Sequence, residues 1–126
     1  MCGRYMLDTD FESLLLRYNI DLVNNFNFEK KEIFPSQLST IITSNSNDKN
    51  TIKQIKWGFK SFYGNNLIIN GRSETISDKK LFRNSFLKRR CIIPATSFFE
   101  WEQIQGKKIK RKISIDKFKQ SGYIFN

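Results

Sequence analysis

The sequence predicts a single α+β domain, built mainly of antiparallel β-strands with a few short helices. Three observations lead there. A length of 126 residues suits one hydrophobic core and leaves little room for two. At 39% hydrophobic and 14% aromatic, the chain carries enough apolar material to exclude wholesale disorder. Those apolar residues fall in many short runs bounded by turn formers, and only two stretches show helical spacing. The cleanest apolar runs (14–16 and 67–69) are far too short to span a membrane.

Taken in order, residues 2–7 read as an opening strand. Thr9 followed by Glu12 has the spacing of a capping box, which starts a helix over 10–18. Phe11, Leu14, Leu15 and Tyr18 recur there at helical spacing, as a core-facing stripe does. The Asn-rich stretch 19–31 reads as an irregular connection. Strands over 38–43 and 51–59 flank the polar turn 44–48, and a further strand covers 67–70. Residues 78–87 form a second short helix with Phe82 and Phe86 on one face. Pro94 separates strands over 91–93 and 97–101, because a proline cannot donate to a ladder. A last strand over 110–115 turns back around Gly106.

Charge is unevenly distributed. Residues 1–50 hold 5 basic and 7 acidic side chains, a net of −2, whereas 51–126 hold 17 and 5, a net of +12; together they make the overall +10. Aromatic residues (Trp57, Phe59, Phe62, Tyr63, Phe98, Phe99, Trp101) interleave with the basic half. Lys and Arg neutralise phosphates while rings stack on exposed bases, the combination that single-stranded nucleic acid needs. A Lys-rich solubilising surface has the same composition.

There is no histidine, which excludes a Ser-His-Asp triad, His-ligated zinc and a His general base. The start of the chain, polar and with two Asp in its first ten residues, lacks a secretory signal pattern, so a cytoplasmic protein is expected. Two Cys are too few for a zinc site, and a structural disulfide is improbable in that compartment. Cys91, between Arg90 and Ile92, reads as a buried strand thiol. No phosphate loop or dinucleotide fingerprint occurs, and neither cofactor nor metal is expected.

The chemistry begins at residue 2. Removal of Met1 would leave Cys2 with an α-amine and a thiol on adjacent carbons. The amine, with an ordinary pKa of about 7.7–8.0, is partly neutral at physiological pH. A 1,2-aminothiol condenses with an aldehyde to an imine, which the thiol closes to a thiazolidine. A Cys in second position is also a common accident.

Four stretches alter that balance: MCGRY at 1–5, KWGF at 56–59, INGRSET at 69–75 and RRCIIPATSFFEW at 89–101. In this order, with one pinned to the start, they resemble the SRAP family (SOS-response-associated peptidase), the abasic-site processing proteins. The resemblance runs to about residue 115. It implies a protein that binds single-stranded DNA, traps the ring-opened abasic aldehyde as a thiazolidine through Cys2 and shields the lesion from cleavage. It also implies an autopeptidase removing Met1, weighted below crosslinking here because no Cys–His dyad is available.

The same resemblance assigns roles. Cys2 matches the nucleophile. Asn70 matches an Asn that hydrogen-bonds the abasic sugar or orients the amine, and a strand-end turn bond is the alternative. Arg72 matches a phosphate-binding Arg, with Gly71 standing where the family usually has Ala. Glu100 matches the catalytic Glu, able to shuttle protons during imine formation. On a strand it points away from Phe99 and Trp101, which are then free to pack or stack on DNA. Arg4 falls where the family places an Arg near the lesion phosphate; a surface ion pair is the alternative. The family's Pro-Ser-Trp wedge is missing after Gly58, and Phe62 is the candidate replacement, against simple packing.

The family also carries an active-site His in a later segment that these 126 residues do not contain. The expectation is therefore one partial SRAP-like domain over 1–126, incomplete at its C-terminus and monomeric. Two readings of function follow. One is a DNA–protein crosslinking enzyme, with lyase and peptidase relatives, acting on abasic single-stranded DNA. The other is a non-catalytic remnant that holds nucleic acid electrostatically.

Overall fold

A computed structural model describes residues 3–23 and 27–114. Their strands form three sheets of order β3-β1-β8-β9, β2-β5-β4 and β6-β7. The elements run β1 (Tyr5–Leu7), α1 (Phe11–Arg17), β2 (Ile20–Val23), β3 (Lys31–Ile33), β4 (Leu38–Ser44), β5 (Asn50–Lys56), β6 (Phe59–Lys60), β7 (Leu67–Ile68), α2 (Arg83–Lys88), β8 (Ser97–Ile104) and β9 (Lys107–Ser114). Every strand pairing is antiparallel except β2 with β5. The α+β class is as the sequence predicts, and no helix among the described residues is long and apolar enough to cross a membrane.

Local chemistry accounts for most boundaries. Asp10, not Thr9, caps α1: its carboxylate accepts from the Ser13 amide at 2.8 Å and from the Ser13 hydroxyl at 2.8 Å. Two short bonds from one carboxylate outcompete a capping box. Asn45 organises the β4–β5 turn by accepting from the amides of Asn47 (2.9 Å) and Lys49 (3.0 Å), while Asp48 takes positive φ. Gln105 and Gly106, both at positive φ, close the β8–β9 hairpin in a two-residue turn that matches strand twist.

Several expectations need correction. The connection over 19–31 contains β2, and β3 begins at its last residue. Side chains anchor β2 to β5: Asp21 accepts from the Asn50 amide at 2.8 Å, and Asn50 Nδ2 donates to the Tyr18 carbonyl at 2.8 Å. The single strand expected over 51–59 breaks at Gly58, whose φ of +113° only glycine adopts without strain. A Cβ there would also lie 2.4 Å from Leu67 Cδ2, so the break lets β7 approach. Residues 91–93 form one bridge rather than a strand, with Ile92 exchanging two 2.9 Å bonds with Ile42. The second helix is shorter than expected, α2 starting only at Arg83 after a run of turns. The opening strand begins at Tyr5, β7 stops at Ile68, and the final hairpin is longer, running from Ser97 to Ser114; Ile115 lies outside the described residues.

One core joins the two larger sheets. Tyr5, Leu7 and Ile33 come from the four-stranded sheet, Ile42 and Ile52 from the three-stranded sheet, and Leu14 from α1. Phe11, Leu15 and Tyr18 pack on this cluster, as the helical spacing predicts. Gly71 has the close neighbours that its small size allows: an added methyl would meet Ile76 at 3.2 Å and Phe82 at 3.3 Å. Phe82 in turn stacks edge-on against Phe59 at 5.3 Å.

Candidate nucleic-acid interface and active site

The four motif stretches converge at one end of β1. Phe99 donates its amide to the Arg4 carbonyl at 3.0 Å, and Tyr5 pairs with Phe98. Continuing that antiparallel register sets Gly3, covalently bonded to Cys2, opposite Glu100. Gly3 also lies against Ile69, 4.0 Å from its Cδ1 to an ideal Cβ, so the chain start borders the segment that continues into Asn70. Trp57 bridges the two sides: its indole donates to the Ile69 carbonyl at 3.4 Å, and its ring sits 5.7 Å from that of Tyr5. Beneath them the Tyr5 hydroxyl shares a buried hydrogen bond with Ser39. Burial pushes the phenol of Tyr5 up, so it stays a neutral hydrogen-bonding group.

The two faces of the four-stranded sheet divide the expected site residues. Glu100, half-buried, shares the face of Phe98 and Tyr5, which looks into the core. Trp101 and Arg4 lie together on the opposite, outer face. The Arg4 guanidinium sits 4.1 Å from the Phe34 ring centre and 5.1 Å from that of Trp101. It also pairs with Glu32 at 3.2 Å, the surface ion pair that the sequence leaves open. Asn70 is half-buried beyond β7, Arg72 is exposed two residues later, and Phe62 is exposed in the loop between β6 and β7. Cys2 lies outside the described residues. Cys91 is half-buried rather than buried, and desolvation raises its thiol pKa, which disfavours the nucleophilic thiolate.

Sequence reasoning misses Tyr5 and Glu32, and it counts Trp57 only among the stacking aromatics. Tyr5 and Trp57 sit inside the motif stretches, so their place in MCGRY and KWGF is the available signal. Glu32 has none, because its partners come from β1 and β9. Lys110 donates to its carboxylate at 2.6 Å and Arg4 adds the second cation. Those contacts, the Lys110 hydrogen bond first, hold the Glu32 carboxyl below the usual carboxylate range. A depressed folded-state pKa means the stabilisation is complete above the ordinary value and is lost as pH falls through the lowered one. The group is largely solvent-screened, so the effect is small. Between about pH 5 and pH 2, Glu32→Gln should lose less stability to acid than the native chain, by urea titration at each pH. Equal losses would remove Glu32 as an acid-sensitive contact.

Fold and site together describe a small α+β protein whose strand β1 lies inside a sheet, between β3 and the β8 strand that carries Glu100. The profile of the SOS response associated peptidase (SRAP) family matches residues 1–122, and the chain belongs to that family. It is 36% identical over 124 residues to the abasic site processing protein YoqW of Bacillus subtilis, a match covering 91% of this chain and 54% of that protein. YobE of the same organism is 35% identical over 124 residues, with 91% and 56% covered. The chain thus spans about half the length of these relatives. Crystal structures of proteins from Bacteroides thetaiotaomicron (TM-score 0.70, 23% identity, 92% of this chain and 55% of that one) and Bordetella bronchiseptica (0.68, 21%, 86% and 55%) share the fold.

Proposed function

We propose that this chain traps abasic sites in single-stranded DNA as a covalent thiazolidine through Cys2, once Met1 is removed. The observation that supports the reading is the β1–β8 register, which brings the residue bonded to Cys2 opposite Glu100. In the proposed sequence the neutral α-amine attacks C1′ of the open-chain aldehyde. The resulting carbinolamine loses water to give an imine. The Cys2 thiol then adds to the imine carbon, and its proton ends on the ring nitrogen. Glu100 takes a proton from the attacking amine and returns one to the departing hydroxyl, so it finishes as it began. Asn70 orients the amine or the sugar. Arg4 and Arg72 hold flanking phosphates, while Phe62 and Trp101 contact bases.

The name of YoqW supports an abasic-site substrate. Autoproteolysis by a Cys–His pair has no imidazole to draw on in this sequence. The experiment is incubation with single-stranded DNA carrying one abasic site, followed by heating and denaturing electrophoresis. A slow-migrating adduct is expected, and none with intact DNA. In parallel, affinity for single-stranded DNA should fall with a log–log salt slope near −3, as neutralising about four phosphates requires. A slope of zero overturns the nucleic-acid reading. Binding with that slope but no adduct leaves the non-catalytic alternative.

A further inference from the structure

The β8–β9 hairpin has two faces of different character. Strand alternation and the pairings Trp101↔Lys110, Phe99↔Lys112 and Gln103↔Lys108 put Lys108, Lys110 and Lys112 on the outer face. Arg4, Phe34, Phe99, Trp101 and Glu32 share that face. Its charged residues are four cations and one carboxylate, a net of +3. The other face of the hairpin carries Glu100, Glu102, Lys107 and Arg111, which sum to zero, alongside Phe98, Ile104, Ile109 and Ile113. Arg111 is already committed to Glu102 at 2.8 Å.

Within the outer face the lysines differ. Lys110 is held by Glu32 and lies 4.1 Å above the Phe99 ring, so it closes the face over its own core. Lys108 and Lys112 flank it, both exposed. Successive same-face residues on a strand are spaced by about 6.6–6.8 Å, so the three lysine side chains leave β9 in a row on one face. Trp101, 41% exposed and opposite the middle of that row, is a ring large enough to take a base. A row of cations beside a partly exposed indole fits a strand of phosphates with unstacked bases.

We infer that the outer face of the β8–β9 hairpin extends the single-stranded-DNA surface of Arg4 and Trp101, with Lys108 and Lys112 as its further phosphate ligands. Arg4 and Trp101 share this face, so the two lysines engage nucleotides beyond those that Arg4 and Trp101 contact. The inference rests on the single-stranded-DNA part of the reading above and not on the crosslinking step. Duplex DNA is the weaker fit, since an exposed indole gains little where bases are stacked and paired.

The test compares binding of an undamaged single-stranded oligonucleotide by the native chain, by Lys108→Gln/Lys112→Gln and by Lys49→Gln/Lys88→Gln. The last removes two exposed cations elsewhere. At about 0.7 of slope per single-strand phosphate, the hairpin variant should flatten the log–log salt slope by about 1.4 and weaken binding roughly tenfold or more near 0.1 M salt. The Lys49/Lys88 variant should keep the native slope. Exposed lysines on an edge strand also serve as guards against edge-to-edge pairing. A hairpin variant that self-associates on gel filtration while keeping the native slope overturns the inference, as does equal flattening by both variants. Adduct formation by the native chain on abasic DNA is scored separately. No adduct with a flattened variant slope removes crosslinking and keeps the surface; an adduct with an unchanged slope does the reverse.

Discussion

Cys2→Ala, freed of Met1, should give no heat-stable adduct with abasic single-stranded DNA, where the native chain gives one. The reason is the adjacency of amine and thiol, not thiol reactivity by itself. Cys2→Ala and Cys2→Ser keep the α-amine and can form an imine, but ring closure through oxygen is much less favourable and through a methyl group impossible. Both variants should therefore yield adducts only after borohydride reduction. A chain that retains Met1 should yield no heat-stable adduct, because its Cys2 nitrogen is an amide and no thiazolidine can close. Glu100→Gln keeps shape and loses the proton shuttle, which costs on the order of 10²-fold in adduct rate. Cys91→Ala should leave the adduct intact, since partial desolvation raises that thiol's pKa and disfavours its thiolate. If Cys91→Ala removes the adduct and Cys2→Ala does not, the nucleophile is misassigned.

Ile52→Ala should be the most damaging of the core truncations. Ile52 has 0% exposure at the centre of β5, the middle strand of its sheet, and pairs with Ile42 on one side and Val23 on the other. Removing its side chain leaves a cavity against both sheets, at a cost of about 2–5 kcal/mol. Against a whole-domain stability of about 5–15 kcal/mol, that is a large share. Ile55→Ala, on the same strand but 44% exposed, should shift the urea midpoint far less. Equal midpoints for the two variants would mean that the core is not where Ile52 lies.

Much of this architecture is readable in residue order, and the failures share a cause. The β4–β5 and β8–β9 hairpins are local, and each announces itself through a turn: Asn45 and its neighbours in one, Gln105 and Gly106 in the other. Strand β2 is hidden because its sequence sits in Asn-rich surroundings and its partner lies about thirty residues away, in parallel. Such pairing leaves no periodic mark on the sequence. The same holds for the site. Glu100 and Trp101 are separable by strand alternation, and the ladder agrees. That Arg4 shares Glu32 with Lys110 depends on the order β3-β1-β8-β9, which no local pattern encodes.

That strand order has a consequence for the newly made chain. Strand β1 lies between β3 and β8, and Tyr5 pairs with Phe98, 93 residues further on. At about 5–20 residues per second on the ribosome, roughly 5–20 s separate the synthesis of the two partners. Throughout that interval the β8 side of β1 has nothing to dock against. The sheet can close only when the hairpin arrives, after nearly all of the described chain has been made.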